Sequence, residues 1–311
     1  MIRLLPLLGV VLALNLLTDS LTAATLKVER DAASLTVRGK AGAELLRYQL
    51  EKPADTTLAS ESACYFHPFT TPSGVVLTDV GPADHRHHRG IFFAWLQLKG
   101  EKEADFWGWG AYAPTKDRKV VNRSVTNSFA RGDEAGFTIK NEWLAEGVAI
   151  MEEEVRAVTR ETLGVRVLDL TYKLTPKIDL THPRWAFSGF CVRLKKDGQA
   201  VASSPDGVVK LPAPNHMKPD SDWPDKPWYD FTFTQPDGKS AGAAVINHPA
   251  NLPTLWHNGA SMGMLNPCVV APAEVVLKKD KPITLRYLVV GHDGAAPTEV
   301  LNKLAAEWRK Q

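Results

Sequence analysis

Apolar and polar residues alternate along most of the chain after residue 25, and the alternation predicts strands. Residues 25–30 and 34–38 alternate around Asp31-Ala32-Ala33, the pattern of an opening hairpin. The same period runs through residues 45–50, 119–121, 136–143, 148–159 and 165–174. Within residues 165–172 an extended backbone places Val165, Val167, Asp169 and Thr171 on one face and Arg166, Leu168, Leu170 and Tyr172 on the other. A helix would scatter those apolar residues around its circumference. The second half predicts strands at 187–194, 207–211, 228–234, 240–247 and 283–290, with the proline-rich stretch 211–228 as a long ordered loop. Only the C-terminus has helical spacing: Val300, Leu301, Leu304 and Trp308 share a stripe, Thr298 is placed to cap it, and Arg309 and Lys310 suit its C-terminal end.

Many short strands without a βαβ rhythm predict an all-β fold, a large antiparallel β-sandwich with a short C-terminal helix, as a single domain over residues 25–311. Residues 1–24 read as a signal peptide. Met1-Ile2-Arg3 gives a positive start, residues 4–17 are almost unbroken apolar sequence, and Thr22-Ala23-Ala24 supplies small residues for cleavage. A membrane span needs about 20 apolar residues, so the expectation is a periplasmic or secreted protein with no span after cleavage. With 37 basic and 35 acidic residues, net charge is +2, and the basic residues are scattered, which leaves no footprint for nucleic acid. Cys64, Cys191 and Cys268 are too few and too far apart for a disulfide scaffold, and the odd count leaves at least one thiol unpaired.

The chemistry-bearing residues fall in two regions. The first holds His67, then Asp84-His85-Arg86-His87-His88-Arg89-Gly90 leading into apolar Ile91-Phe92-Phe93-Ala94-Trp95, then Asp105-Phe106-Trp107-Gly108-Trp109-Gly110. The second is Asn247-His248-Pro249 with Trp256-His257-Asn258-Gly259 and Asn266-Pro267. Loops distant in sequence gather at one end or on one concave face of a sandwich, so the two regions are expected to meet over one hollow. Such a site offers imidazoles for proton transfer near neutrality, guanidinium forks and flat indole faces. Sugars present the complement, hydroxyls and an apolar ring face. The candidate catalytic residues are His85, His87, His88, His248, His257 and Glu154, the last sharing a strand face with Glu152 and Arg156. Candidate substrate-binding residues are His67, Arg89, Trp107, Trp109, Arg156, Asn247 and Trp256. His182, His216 and His292 have no constellation around them. No cofactor is predicted: the chain has neither a Gly-rich phosphate loop nor a Gly-x-Ser-x-Gly elbow. A non-catalytic glycan-binding module is one alternative. The other is a copper or zinc protein, with His85, His87 and His257 as ligands to a divalent metal.

The motif Asp84-His85-Arg86-His87-His88-Arg89-Gly90, preceded by Thr71-Pro72-Ser73-Gly74 and followed by Phe106-Trp107-Gly108, resembles exported bacterial proteins labelled "PmoA-like" or methane-oxygenase-like, a family of unknown function. Asn247-His248-Pro249 departs from the Asp-His-Pro often found there. The resemblance implies a β-sandwich like that of the galactose-mutarotase superfamily, and a sugar or glycan substrate for an epimerase, lyase or hydrolase in which histidine and glutamate exchange protons. It does not imply a methane monooxygenase, since no later stretch of the chain is apolar enough to span a bilayer.

Overall fold

A computed structural model describes residues 26–234 and 237–311. The expected signal peptide lies outside the described residues. Two antiparallel sheets dominate. The seven-stranded sheet runs, in spatial order, Lys27–Arg30, Ser34–Arg38, Glu44–Gln49, Tyr65–Phe69, Ile91–Ala94, Gly189–Arg193 and Met264–Leu265. The nine-stranded sheet runs Gly207–Val208, Gln199–Ser204, Trp228–Thr234, Ser240–Asn247, Ile283–Asp293, Val165–Pro176, Val148–Thr162, Glu134–Ala145 and Arg118–Arg131. Inward side chains of both sheets share one apolar core, which makes the architecture the expected large antiparallel sandwich.

The predicted faces of residues 165–172 hold. Leu168, Leu170 and Tyr172 enter the core between the sheets, while Val165 and Val167 lie on the opposite face beneath the helix Thr298–Trp308. That helix buries Leu301, Leu304 and Trp308 against Trp228, Ile246, Leu288 and Val290, so its apolar stripe closes the outer face of the nine-stranded sheet. Thr298 is its first residue and not its cap: Pro297 occupies the cap position, and no side chain bonds the free N–H groups there.

Three strands lack a clean period in sequence. Tyr65–Phe69 contains Pro68, which has no N–H for the ladder, and it meets Ile91–Ala94 through the single register pair Phe66 with Ile91. Gln199–Ser204 is built of small and polar residues that give little contrast between faces. Arg118–Arg131 is far longer than the predicted 119–121: it is the edge of its sheet, and beyond Val121 its apolar residues, Val125, Phe129 and Ala130, are too few and unevenly spaced to show a period. The three cysteines are all free, buried thiols.

Candidate functional site

The histidine segment is a loop pinned at its base. Val80 and Arg89 form an antiparallel bridge, Gly81 N–H donates to His88 O at 2.8 Å, and Gly90 N–H donates to Asp79 O at 2.7 Å. Inside the loop His85 N–H donates to Pro82 O at 3.0 Å and His88 N–H to His85 O at 2.9 Å, two successive turns that bunch the imidazoles. The rings of His85 and His88 stack at 4.8 Å, and His87 meets His88 edge-on at 4.6 Å. Gly90 has φ +57°, and a Cβ there would lie 2.1 Å from Phe66 O, so this base accepts glycine alone.

Arg193, fully buried on the strand Gly189–Arg193, ties the loop to the sheet. It donates to both carboxylate oxygens of Asp84, at 2.7 and 3.0 Å, and from Nη1 to His88 Nδ1 at 3.2 Å. A guanidinium only donates, so Nδ1 of His88 accepts and the ring proton sits on Nε2. Burial raises the Asp84 carboxyl, but the bonds from Lys196 and Arg193 outweigh it and hold the group well below its ordinary value.

His257 reaches the same place from the other half of the chain. An antiparallel bridge between Trp223 and Trp256 sets Asp222 opposite His257, and His257 Nδ1 lies 2.7 Å from Asp222 Oδ1 with both side chains almost wholly buried. The carboxylate accepts from Nδ1–H, which leaves Nε2 of His257 with a lone pair. Burial raises the Asp222 carboxyl, and His257 opposes that rise.

These side chains enclose a cavity of about 230 Å³. His85, His87, His88, His216 and His257 line it, with Trp107, Trp109 and Phe187 on the aromatic side and Pro214, Met262 and Met264 opposite in chemical character. The aromatic wall is continuous: Trp107 meets His88 at 5.6 Å and Phe187 at 5.5 Å, and Phe187 meets His257 at 5.4 Å. Trp109, 38% exposed, is the indole able to offer a face to a ligand; Trp107 is fully buried and forms the floor.

The two regions therefore meet only in part. His85, His87, His88, Trp107, Trp109 and His257 converge, and the other candidates lie elsewhere. His248 and Asn247 sit at the end of Ser240–Asn247 by the C-terminal helix, with the His248 ring 4.8 Å from Trp308 and its Nε2 bonded by Arg286. Glu154 and Arg156 project from the outer face of Val148–Thr162, and Glu154 pairs with Lys140 at 3.7 Å. The alternation that put them on one face holds, but that face points away from the cavity; Glu153, between Glu152 and Glu154, is the one turned inward. Trp256 is wholly in the core against Tyr229. His67 bonds Thr78 Oγ1 at 2.9 Å. Arg89, assigned to substrate oxygens in sequence, is buried and donates to the carbonyls of His87, Phe106 and Trp107. Among the described residues no group of three or more His, Cys, Asp or Glu side chains is placed to hold a metal ion, so His85, His87 and His257 do not form a metal cluster.

Sequence reasoning missed Asp222, His216, Met262 and Met264. Asp222 is recognisable only once Trp223 pairs with Trp256. His216 lies in the proline-rich loop and reaches Trp109, 6.0 Å between ring centroids, without any local pattern to mark it.

Burial, then the neighbouring imidazoles and arginines, depresses the histidine loop: His87 falls to about 3, and His88 lies well below its ordinary value. An imidazole depressed in the folded state contributes stability that is present above the unfolded value near 6.5 and is lost as pH falls toward the folded value. Two buried acids act in the opposite sense. Asp105, raised to about 6 by burial against bonds from Gly110 and Gly108 N–H, and Glu153, raised to about 7 by burial against bonds from Asn141 and Trp143, lend stability that is lost as pH rises through those values. Between pH 6.5 and 4, the urea midpoint of His87→Asn is therefore expected to fall less than that of the wild type. Parallel curves for the two proteins would show that His87 takes up its proton as readily folded as unfolded.

No curated protein matches the sequence. Among solved structures, the chain is similar to the GH36 α-galactosidase AgaA of Geobacillus stearothermophilus, at 9% identity and TM-score 0.41, over 87% of this chain and 41% of that one. It is also similar to the heparan sulfate lyase HepC of Pedobacter heparinus, at 9% identity and TM-score 0.38, over 87% of this chain and 37% of that one. The chain thus spans about two fifths of the length of these structures. The resemblance to the methane-oxygenase-like group is corrected by the family match, which is to a different description and shows no PmoA-like family. Residues 35–306 match the family described as "Family of unknown function (DUF6807)", and the chain belongs to that family.

Proposed function

We propose that the cavity binds a sugar and takes a proton from it, with His257 as the base and the neutral His88 Nε2–H as a hydrogen-bond donor to the oxygen on which charge develops. The observation that carries this reading is the pair of opposite tautomers facing one space. Asp222 fixes the proton of His257 on Nδ1, so Nε2 accepts; Arg193 fixes the proton of His88 on Nε2, so that atom donates. A base and a hydrogen-bond donor are thereby set in advance, each oriented by a buried partner, without either having to change tautomer before it acts. Trp109 and Phe187 supply apolar surface for a ring face.

The same lining argues among reaction types. Glycoside hydrolysis commonly uses two carboxyl groups flanking the scissile bond, and among the described residues none lines the cavity: Asp222 is shielded behind His257, and Glu153 is sealed in the core. Proton abstraction by one imidazole with hydrogen-bond donation from another suits isomerisation, anomer interconversion or elimination instead. The α-galactosidase and heparan sulfate lyase activities of the solved structures above are theirs.

The test is a proton NMR time course in D2O over a panel of neutral mono- and disaccharides. Catalysed anomer exchange, deuterium uptake at a ring carbon, or loss of a leaving group with formation of a double bond is the expected result. Plain hydrolysis with neither exchange nor elimination, undiminished when His257 is replaced, would remove the reading.

A further inference from the structure

We propose that the cavity takes a single uncharged sugar ring and rejects uronates, sugar phosphates and sulfated sugars. This rests on the sugar-binding reading above and narrows it to a substrate class.

Size sets the first limit. At about 230 Å³ the cavity falls below the roughly 300–1,000 Å³ of common small-molecule pockets, room for one ring and not for a run of them. Charge sets the second. An anionic sugar entering a partly closed space sheds water from its carboxylate, phosphate or sulfate and needs a cation in return. Among the described residues the lining supplies no lysine and no arginine.

Arg89, Arg193 and Lys196, packed beside the loop, are already engaged. Arg89 is buried behind Trp107, donates to three carbonyls and lies over the Phe92 ring at 4.5 Å. Arg193 is held bidentate by Asp84, and Lys196 Nζ lies 2.9 Å from the other side of that carboxylate. Nor do the loop imidazoles stand in for a cation, since burial keeps His85, His87 and His88 below their ordinary values and uncharged at neutral pH. Asp222, behind His257, adds a negative charge at the far wall. Neutral hydroxyls fare differently: imidazole nitrogens both donate to and accept from them, and the aromatic wall covers the ring face.

The experiment compares matched pairs by isothermal titration at pH 7: glucose with glucuronate, galactose with galacturonate, and N-acetylglucosamine with its 6-sulfate. The neutral member of at least one pair is expected to bind at least about tenfold more tightly than its acidic partner, the ratio set by one charged hydrogen bond left unmade. Met262→Lys, which places an ammonium on the half-buried wall, is expected to raise affinity for the acidic members about tenfold. Acidic members that bind the wild type as tightly as neutral ones, with binding lost in Trp109→Ala, would overturn the charge selection while leaving a sugar site in place. Absence of binding by every sugar, in protein shown to be folded, would overturn both readings.

Discussion

Substituting His257 by Ala is expected to lower turnover of the processed sugar by about 10²- to 10⁴-fold, the usual contribution of a positioned proton-transfer group. The assay is the NMR time course in D2O, read as initial rate. Alanine also strands Asp222, a carboxyl with no exposed surface and His257 as its hydrogen-bond partner, so that a loss could reflect disturbed packing. His257→Asn separates the two effects: its amide N–H can still reach toward the carboxylate, yet it offers no base, and it should be as inactive as the alanine variant. Asp222→Asn keeps an acceptor for Nδ1–H but removes the charge that supports an imidazolium. A loss of about tenfold to a hundredfold is expected there, with the pH–rate profile displaced. Full activity in His257→Asn would end the assignment of this imidazole as the base.

Trp107→Ala is expected to cost about 4 kcal/mol of unfolding free energy, within the range for removing a wholly buried indole. The side chain touches Phe92, at 5.1 Å between centroids, as well as His88 and Phe187, so its loss opens the floor beneath the imidazoles. Trp109→Ala, only two residues away, is expected to cost less, about 1–2 kcal/mol, because the ring is partly exposed at the rim. Urea titration of both variants gives the comparison. Equal midpoints would mean that the floor is not packed as described. Together the two variants divide a Trp-Gly-Trp segment into a residue that holds the site and a residue that meets the ligand.

The sandwich was legible because its strands alternate strongly, and because the apolar stripe ending at Trp308 is distinct from everything before it. The histidine loop was legible as a concentration of one residue type beside an apolar strand. What alternation cannot say is which face of the nine-stranded sheet looks inward: Glu152, Glu154 and Arg156 were grouped correctly, yet the group faces solvent and Glu153 faces the core. Nor does a Trp-His pair announce that its tryptophan is interior and its histidine lines a cavity. The Asp222 partner depends on a bridge between tryptophans 33 positions apart, and no local pattern encodes that. Arg89 and Arg193 show the same blindness in charged residues: Arg89 was assigned to substrate oxygens and Arg193 was not singled out, yet both are fully enclosed by carbonyls, rings and a carboxylate.

Cys64, Cys191 and Cys268 are reduced and sealed, each with its thiol pushed up by burial. Refolding after denaturation therefore needs no oxidant and suffers no scrambling of bridges. It also means that an alkylating reagent such as iodoacetamide meets sulfur only when the molecule opens, which makes the rate of labelling a clock for breathing of the sandwich, with Cys64 and Cys191 timing the region under the histidine loop and Cys268 the strand beside His257.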